Sequence, residues 1–125
     1  MRLLLDTHAL IWWLDDKQAL GTSARAETAD ANNEVFVSAL SFAEIAIKQA
    51  LGKIDAPFIS DDLVAEQGMT PLPLTPRHGR KVRELPLHHR DPFDRLLIAQ
   101  AIEEGLTIIT SDSHFLAYDV STLRP

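Results

Sequence analysis

RLLLDTHALIWWL, residues 2–14, decides the fold. Leu3, Leu4 and Leu5 make a short apolar run with no polar alternation, the pattern of a strand covered on both faces. Asp6 closes the run, and HALIWWL continues at once with helical character. A covered strand passing directly into a helix is the first half of a βαβ unit.

Working outward, the pattern recurs. EVFVS at 34–38 is β-branched and aromatic, and LTIIT at 106–110 repeats the first run and leads into Ser111 and Asp112. TPLPL at 70–74 reads as a weaker fourth strand whose prolines suit a sheet edge, and YDVSTL at 118–123 as a weak fifth. Helical patterns lie between them. TSARAETADAN starts at Thr22 or Ser23, and SFAEIAIKQALGK opens with Ser41 and Glu44 spaced as a capping box. SDDLVAEQG takes Ser60 as its cap and Gly68 as its stop, while TPRHGRKVREL has Thr75 as cap and Pro76 at the first helical position. A last helix runs from about Pro92 to Glu104 and ends at Gly105. The expected fold is therefore α/β, with a mostly parallel central sheet of four to five strands and helices on both faces.

Length and composition agree. A chain of 125 residues, 46% apolar and 24% charged, makes one domain over residues 1–125, with no repeat, linker or low-complexity tract. The longest apolar run, Ala9 to Leu14, is far shorter than the roughly 20 residues of a membrane span, and no signal-peptide core follows Met1. A cytoplasmic location is expected. With no cysteine, any metal must be held by oxygen or imidazole.

The net charge of −6 speaks against a polyanion partner, but its distribution does not. Residues 77–95 carry six basic groups against three acidic ones, while the rest of the chain carries six against fifteen. Arg77, Arg80, Lys81, Arg90 and Arg95 in this strip are candidates for contact with a polyanion, although a solvated helix face would show the same composition.

Open parallel sheets bind ligands beyond the carboxyl ends of their strands, where helix N-termini gather. Four acids fall at such places: Asp6 after the first strand, Glu44 in the first turn of the helix after EVFVS, Asp94 in the first turn of the last helix, and Asp112 after LTIIT. Each has a structural reading: Asp6 and Asp112 as caps of the following segments, Glu44 as the far half of a capping box, Asp94 as an acid favoured by the helix dipole. Asp91, just before Pro92, is read first as the N-cap of the last helix and secondarily as a neighbour of the site. Asp94 tops a stripe with Ile98 and Ala101 and so faces the sheet. Two carboxylates about 4 Å apart repel by roughly 4 kcal/mol at an effective dielectric of 20, a defect that a divalent cation removes. An all-carboxylate set suits Mg²⁺ or Mn²⁺, hence phosphoryl chemistry.

LLLDTHALIWWL, SALSFAEIAIK, HHRDPFDRLLIAQA and IITSD, in that order, resemble the PIN-domain family, of the kind represented by the VapC toxins of type II toxin–antitoxin pairs. The resemblance spans nearly the whole chain. It implies a metal-dependent endoribonuclease in which Asp6, Glu44, Asp94 and Asp112 hold the metal, with Thr7, Ser41 and Ser111 as hydroxyls beside them. It further implies an RNA substrate, a cognate antitoxin and a homodimer.

Other signals count against rival chemistries. His89-Arg90-Asp91 looks like the start of a kinase catalytic loop, but Leu96 stands where that loop needs Asn. Neither a GxSxG elbow nor a GxGxxG loop occurs. His88 and His89 lie close to Asp94 in sequence, where they could touch phosphate, but are read first as solvated loop residues, and His8 and His114 are not needed as ligands. Trp12 or Trp13, if exposed, would anchor a partner helix. A phospho-receiver-like switch is the nearest alternative, but EVFVS ends in Ser38 rather than an acceptor Asp, and no Lys follows Lys81. A catalytically silent interaction module, with the acids as caps, is the other.

Overall fold

Side chains along the first strand divide strictly between two cores. In the computed structural model, which describes residues 1–15, 20–54 and 59–124, Leu3 and Leu5 join one buried cluster and Leu4 the other. This period-2 division repeats where Val35 and Val37 oppose Phe36, and Ile109 opposes Ile108. Such division requires helices on both faces, and the short strands are apolar throughout for that reason.

The strands are β1 (Arg2–Leu5), β2 (Glu34–Ser38), β3 (Thr70–Leu72), β4 (Thr107–Ile109) and β5 (Thr122–Leu123). They form one sheet in the order β3-β2-β1-β4-β5 with every pairing parallel. The helices are α1 (Thr7–Leu14), α2 (Thr22–Ala29), α3 (Ala39–Ala50), α4 (Asp61–Glu66), α5 (Pro76–Val82) and α6 (Pro92–Glu104). Ala9, Leu10, Ala24, Ile45 and Val64 bring α1 to α4 onto one face, whereas Leu97, Ile98 and Ala101 bring α6 onto the other. The weak fourth and fifth strands lie at the two edges, where Pro71 and Pro73 interrupt least.

Caps fall where small polar residues stand. Ser60, Thr75 and Asp91 each accept a backbone N–H at the start of α4, α5 and α6, and Gly105 ends α6 at φ 67°, a conformation that favours glycine. One expectation is corrected. α3 begins at Ala39, and its cap is Ser38, whose Oγ accepts from the Leu40 N–H at 3.0 Å. β2 runs straight into the helix with no loop, so the last strand residue is also the cap. Ser41 and Glu44 therefore form no capping box, and Glu44 lies in the second turn with its carboxylate released from backbone duty.

Candidate active site

The chain builds β1, β2 and β3 outward in one direction, then places β4 on the other side of β1. The sheet reverses its order between β1 and β4, and the crevice at such a reversal is where open α/β sheets bind ligands. Asp6 leaves the end of β1 and Asp112 follows β4 by three residues, so the two flank this point. α3 and α6 bring Glu44 and Asp94 to the same edge.

Capping and site formation turn out to be compatible. Asp6 Oδ1 accepts the Ala9 N–H at 2.8 Å, Asp91 Oδ1 accepts from Phe93 and Asp94, and Asp112 Oδ1 accepts the His114 N–H at 2.9 Å. Each bond engages Oδ1, which leaves the second oxygen of each carboxylate for other partners. For Asp112 that oxygen faces His89, whose Nε2 lies 3.2 Å from Asp112 Oδ2 and 2.8 Å from Asp94 Oδ2. One imidazole thus spans two of the four acids.

Glu44 is oriented from both sides. Thr7 donates its hydroxyl to Glu44 Oε1 at 2.7 Å and lies 3.0 Å from the Ser41 hydroxyl. Lys48, one turn along α3, places Nζ 2.7 Å from Glu44 Oε2. Thr7, Ser41 and Glu44 are all buried, as is Asp6, and no buried side-chain polar atom among the described residues lacks a partner.

The electrostatics carry the cost of this crowding. Burial pushes the Asp94 carboxyl up to about 6, with the Asp91, Glu44 and Asp6 charges adding to the rise and His89 opposing it. Burial likewise raises Asp6, against hydrogen bonds from the Thr110 hydroxyl and the Ala9 N–H. Burial raises Asp112 as well, but the His114 backbone and ring hydrogen bonds, with the His89 and His114 charges, outweigh it and hold the carboxyl below its ordinary value. The hydrogen bond to Glu44 raises Lys48, and the Asp91 and Asp94 charges act in the same sense. All four acids therefore share one electrostatic neighbourhood, a donor set of oxygens whose mutual repulsion a divalent cation would relieve. The chemistry of this donor set, oxygen throughout, suits such an ion.

Several expected residues stand elsewhere. Arg95 is buried rather than on the basic strip: its guanidinium donates to the carbonyls of Pro86 at 2.8 Å, Val82 at 3.1 Å and Leu85 at 3.4 Å, and to the Tyr118 hydroxyl at 3.2 Å. The physical reason is periodicity, since Arg95 lies one residue after Asp94 on the face of α6 turned toward the segment after α5. Ser111 is exposed, and the hydroxyl beside the acids is instead that of Thr110, which binds Asp6 and accepts the Asp112 N–H at 3.0 Å. Arg77 and Arg80 are exposed but border Glu104, ten residues along α6 from Asp94, or about 15 Å at helical rise. Lys81 pairs with Glu84 at 3.1 Å. Arg90 is exposed, beside the Asp91 cap.

Three site neighbours go unread in the sequence. Lys48 had a signal, its position four residues after Glu44 on a helix. Thr110 had none, and His89 had only its closeness to Asp94 in sequence, which it shares with His88 until the loop is folded. Trp12 and Trp13 are both half-buried against the core, with the Trp13 indole N–H on Gln67 Oε1 at 3.1 Å, so neither is a free anchor.

Comparison with known proteins places this geometry. The family profile described as PIN domain matches residues 3–121. Ribonuclease VapC22 of Mycobacterium tuberculosis is 30% identical over 113 residues, covering 88% of this chain and 86% of that protein. Among solved structures, VapBC2 from Rickettsia felis bound to a DNA fragment from its promoter superposes with a TM-score of 0.68 at 15% identity, over 99% of this chain and 98% of that one. FitAcB from Neisseria gonorrhoeae gives 0.66 at 20% identity, over 97% and 96%. No described helix is long and apolar enough to cross a membrane. A profile that spans nearly the whole chain, over a sheet of this order with acids at its reversal, leaves one conclusion: the chain belongs to the PIN-domain family.

Proposed function

We propose that this protein is a metal-dependent endoribonuclease that hydrolyses RNA phosphodiester bonds, acting in the cytoplasm as the toxin of a toxin–antitoxin pair. The observation that carries the reading is the gathering of Asp6, Glu44, Asp94 and Asp112 into one electrostatic neighbourhood at the sheet reversal. The relative named as a ribonuclease supports the reaction, and the neighbours described as VapBC and FitAcB assemblies support an antitoxin partner. A homodimer is part of the same reading.

Asp6, Glu44, Asp94 and Asp112 would hold Mg²⁺ or Mn²⁺, with Asp91 behind Asp94. Such an ion, when bound, polarises the scissile phosphate and lowers the cost of the charge that develops on it. The rest falls to this chain's own groups. Thr7, backed by Ser41, fixes the Glu44 carboxylate, and Thr110 ties Asp6 to the backbone of Asp112. Fixed carboxylates matter because misplacement of a reacting group by about 1 Å costs roughly 10²-fold in rate. Lys48 Nζ lies against Glu44 Oε2, and His89 Nε2 against Asp94 Oδ2 and Asp112 Oδ2, on the side where a substrate phosphate would approach. A phospho-receiver is disfavoured because Ser38, at the end of β2, is buried, caps α3 and donates to Gln100 Oε1 at 2.6 Å.

The deciding experiment is cleavage of a defined structured RNA by wild type and by Asp6→Asn/Asp94→Asn, purified identically, with Mg²⁺ or Mn²⁺ and with chelator. Cutting that needs both the ion and the aspartates is the expected result. Equal cutting by both proteins over a panel of RNAs would end the proposal.

A further inference from the structure

The outer rim of the carboxylate group carries nitrogen. Ligand atoms of His89, Asp112 and His114 all lie within 4.8 Å of one another. Asp112 joins the two rings, with Oδ1 2.8 Å from His114 Nδ1 and Oδ2 3.2 Å from His89 Nε2. The rings themselves stack with centroids 4.8 Å apart and planes 29° from parallel.

This donor set differs in kind from the oxygen-only group beneath it. Two imidazoles and one carboxylate suit Zn²⁺, with Co²⁺ and Ni²⁺ next, and are a poor match for Mg²⁺. Two ligands at about 2.1 Å from a tetrahedral ion stand roughly 3.4 Å apart, so the trio must close slightly. His114 is free to do that, since its side chain is 62% exposed on a 3-10 helix of five residues. His89 is the fixed member, held edge-on by Phe115 and by its backbone N–H, which donates to the Tyr118 hydroxyl at 2.9 Å. Ligation through Nε2 puts the ring proton on Nδ1 and gives up the 2.8 Å contact with Asp94 Oδ2 together with a 3.4 Å contact with the Asp91 N–H.

We infer that His89, Asp112 and His114 form a second ion site, selective for Zn²⁺, and that Zn²⁺ bound there draws Asp112 away from the four-carboxylate group and inhibits it. The binding half stands by itself; the inhibition half rests on the ribonuclease reading above. Zn²⁺ outcompetes Mn²⁺ at nitrogen-containing sites, so the two ions act in opposite senses on one active centre.

The test is a calorimetric titration of the full chain with Zn²⁺, paralleled by Co²⁺ absorption in the visible, for wild type, His114→Ala, His89→Gln and Glu44→Gln. The expected result is one Zn²⁺ site whose affinity falls at least about tenfold in either histidine variant and holds in Glu44→Gln, with the Co²⁺ band lost alongside. Zn²⁺ should then suppress Mg²⁺-supported RNA cleavage by wild type at the concentration at which it binds, and His114→Ala should shift that concentration upward by a similar factor. Absence of Zn²⁺ binding by wild type, or binding lost in Glu44→Gln and retained in His114→Ala, overturns the site. Zn²⁺ bound without loss of cleavage overturns the inhibition. Should wild type cut no RNA under any ion, the ribonuclease reading fails while the isotherms still decide the zinc site.

Discussion

Lys48 Nζ stands 2.7 Å from Glu44 Oε2, one helical turn away, and pairs with a buried carboxylate of the site. Removing it leaves Glu44 charged among apolar and hydroxyl neighbours. Lys48→Met is predicted to destabilise the chelator-treated protein by about 1–2 kcal/mol, less than the 3–5 of a fully buried pair because Lys48 is 36% exposed. Mg²⁺ should recover most of that loss. Equal losses in melting temperature with chelator and with Mg²⁺ would count against a shared role for the lysine and the ion.

Asp94 sets a pH dependence. Its carboxyl is pushed up to about 6 from an ordinary 3.8, so the folded chain holds that proton more tightly than the unfolded chain. Its stabilising contribution is complete below about pH 4 and is lost as pH rises through about 6, at most about 3 kcal/mol. Asp6 is raised and tilts the curve the same way, whereas Asp112 is lowered and tilts it the opposite way, adding stability that is lost as pH falls. Chelator-treated wild type should therefore lose stability in urea between pH 4 and pH 6, and Asp94→Asn should flatten most of that slope while abolishing cleavage. A marked loss of chelator-treated stability in the variant would show that its interaction with the helix N-terminus dominates.

Arg95 is predicted to act on folding alone. Its guanidinium serves four carbonyls, those of Val82, Leu85, Pro86 and His89, as well as the Tyr118 hydroxyl, and truncation would strand them. Arg95→Ala should cost about 3 kcal/mol or more, read from the urea midpoint. A near-neutral midpoint, with weakened RNA binding, would return this residue to the phosphate-contact group.

The basic strip and Arg90 should separate by substrate length. Arg90 adjoins the Asp91 cap, so Arg90→Ala is predicted to weaken binding of short and long RNA alike and to lower the salt slope by about 1. Arg77→Glu with Arg80→Glu and Lys81→Glu should flatten the salt dependence only for RNA that reaches about 15 Å beyond the acids. An unchanged slope on long RNA would leave the strip a solvated face.

How much was legible in the chain follows from locality. Five strands and six helices could be read because apolar runs, caps and breakers act within a few residues: Thr75-Pro76 opens α5 and Gly105 closes α6 as the local chemistry requires. The start of α3 was misplaced because Ser38 and Ser41 are equally good caps, and only the pairing of β2 decides between them. Asp6, Asp94 and Asp112 were legible as strand-end and helix-start residues, whereas Glu44 stands a turn further into α3 than its spacing from Ser41 suggested. The orientation of Arg95, the choice of Thr110 over Ser111 and of His89 over His88 were not, since each depends on which way a side chain turns against elements distant in sequence.

Neighbours in the chain, Asp94 and Arg95 point about 100° apart around α6, one to the carboxylate group and one into the packing between α5 and α6. Under the toxin role proposed above, loss-of-function alleles at the two codons should differ in dominance. A change at 94 is expected to leave a folded chain that still occupies the antitoxin and so frees any active copy made beside it; a change at 95 is expected to leave material cleared by proteolysis, silent toward other copies. Immunoblots and antitoxin co-purification from the two classes of survivor would tell them apart, and equal abundance in both would contradict the division.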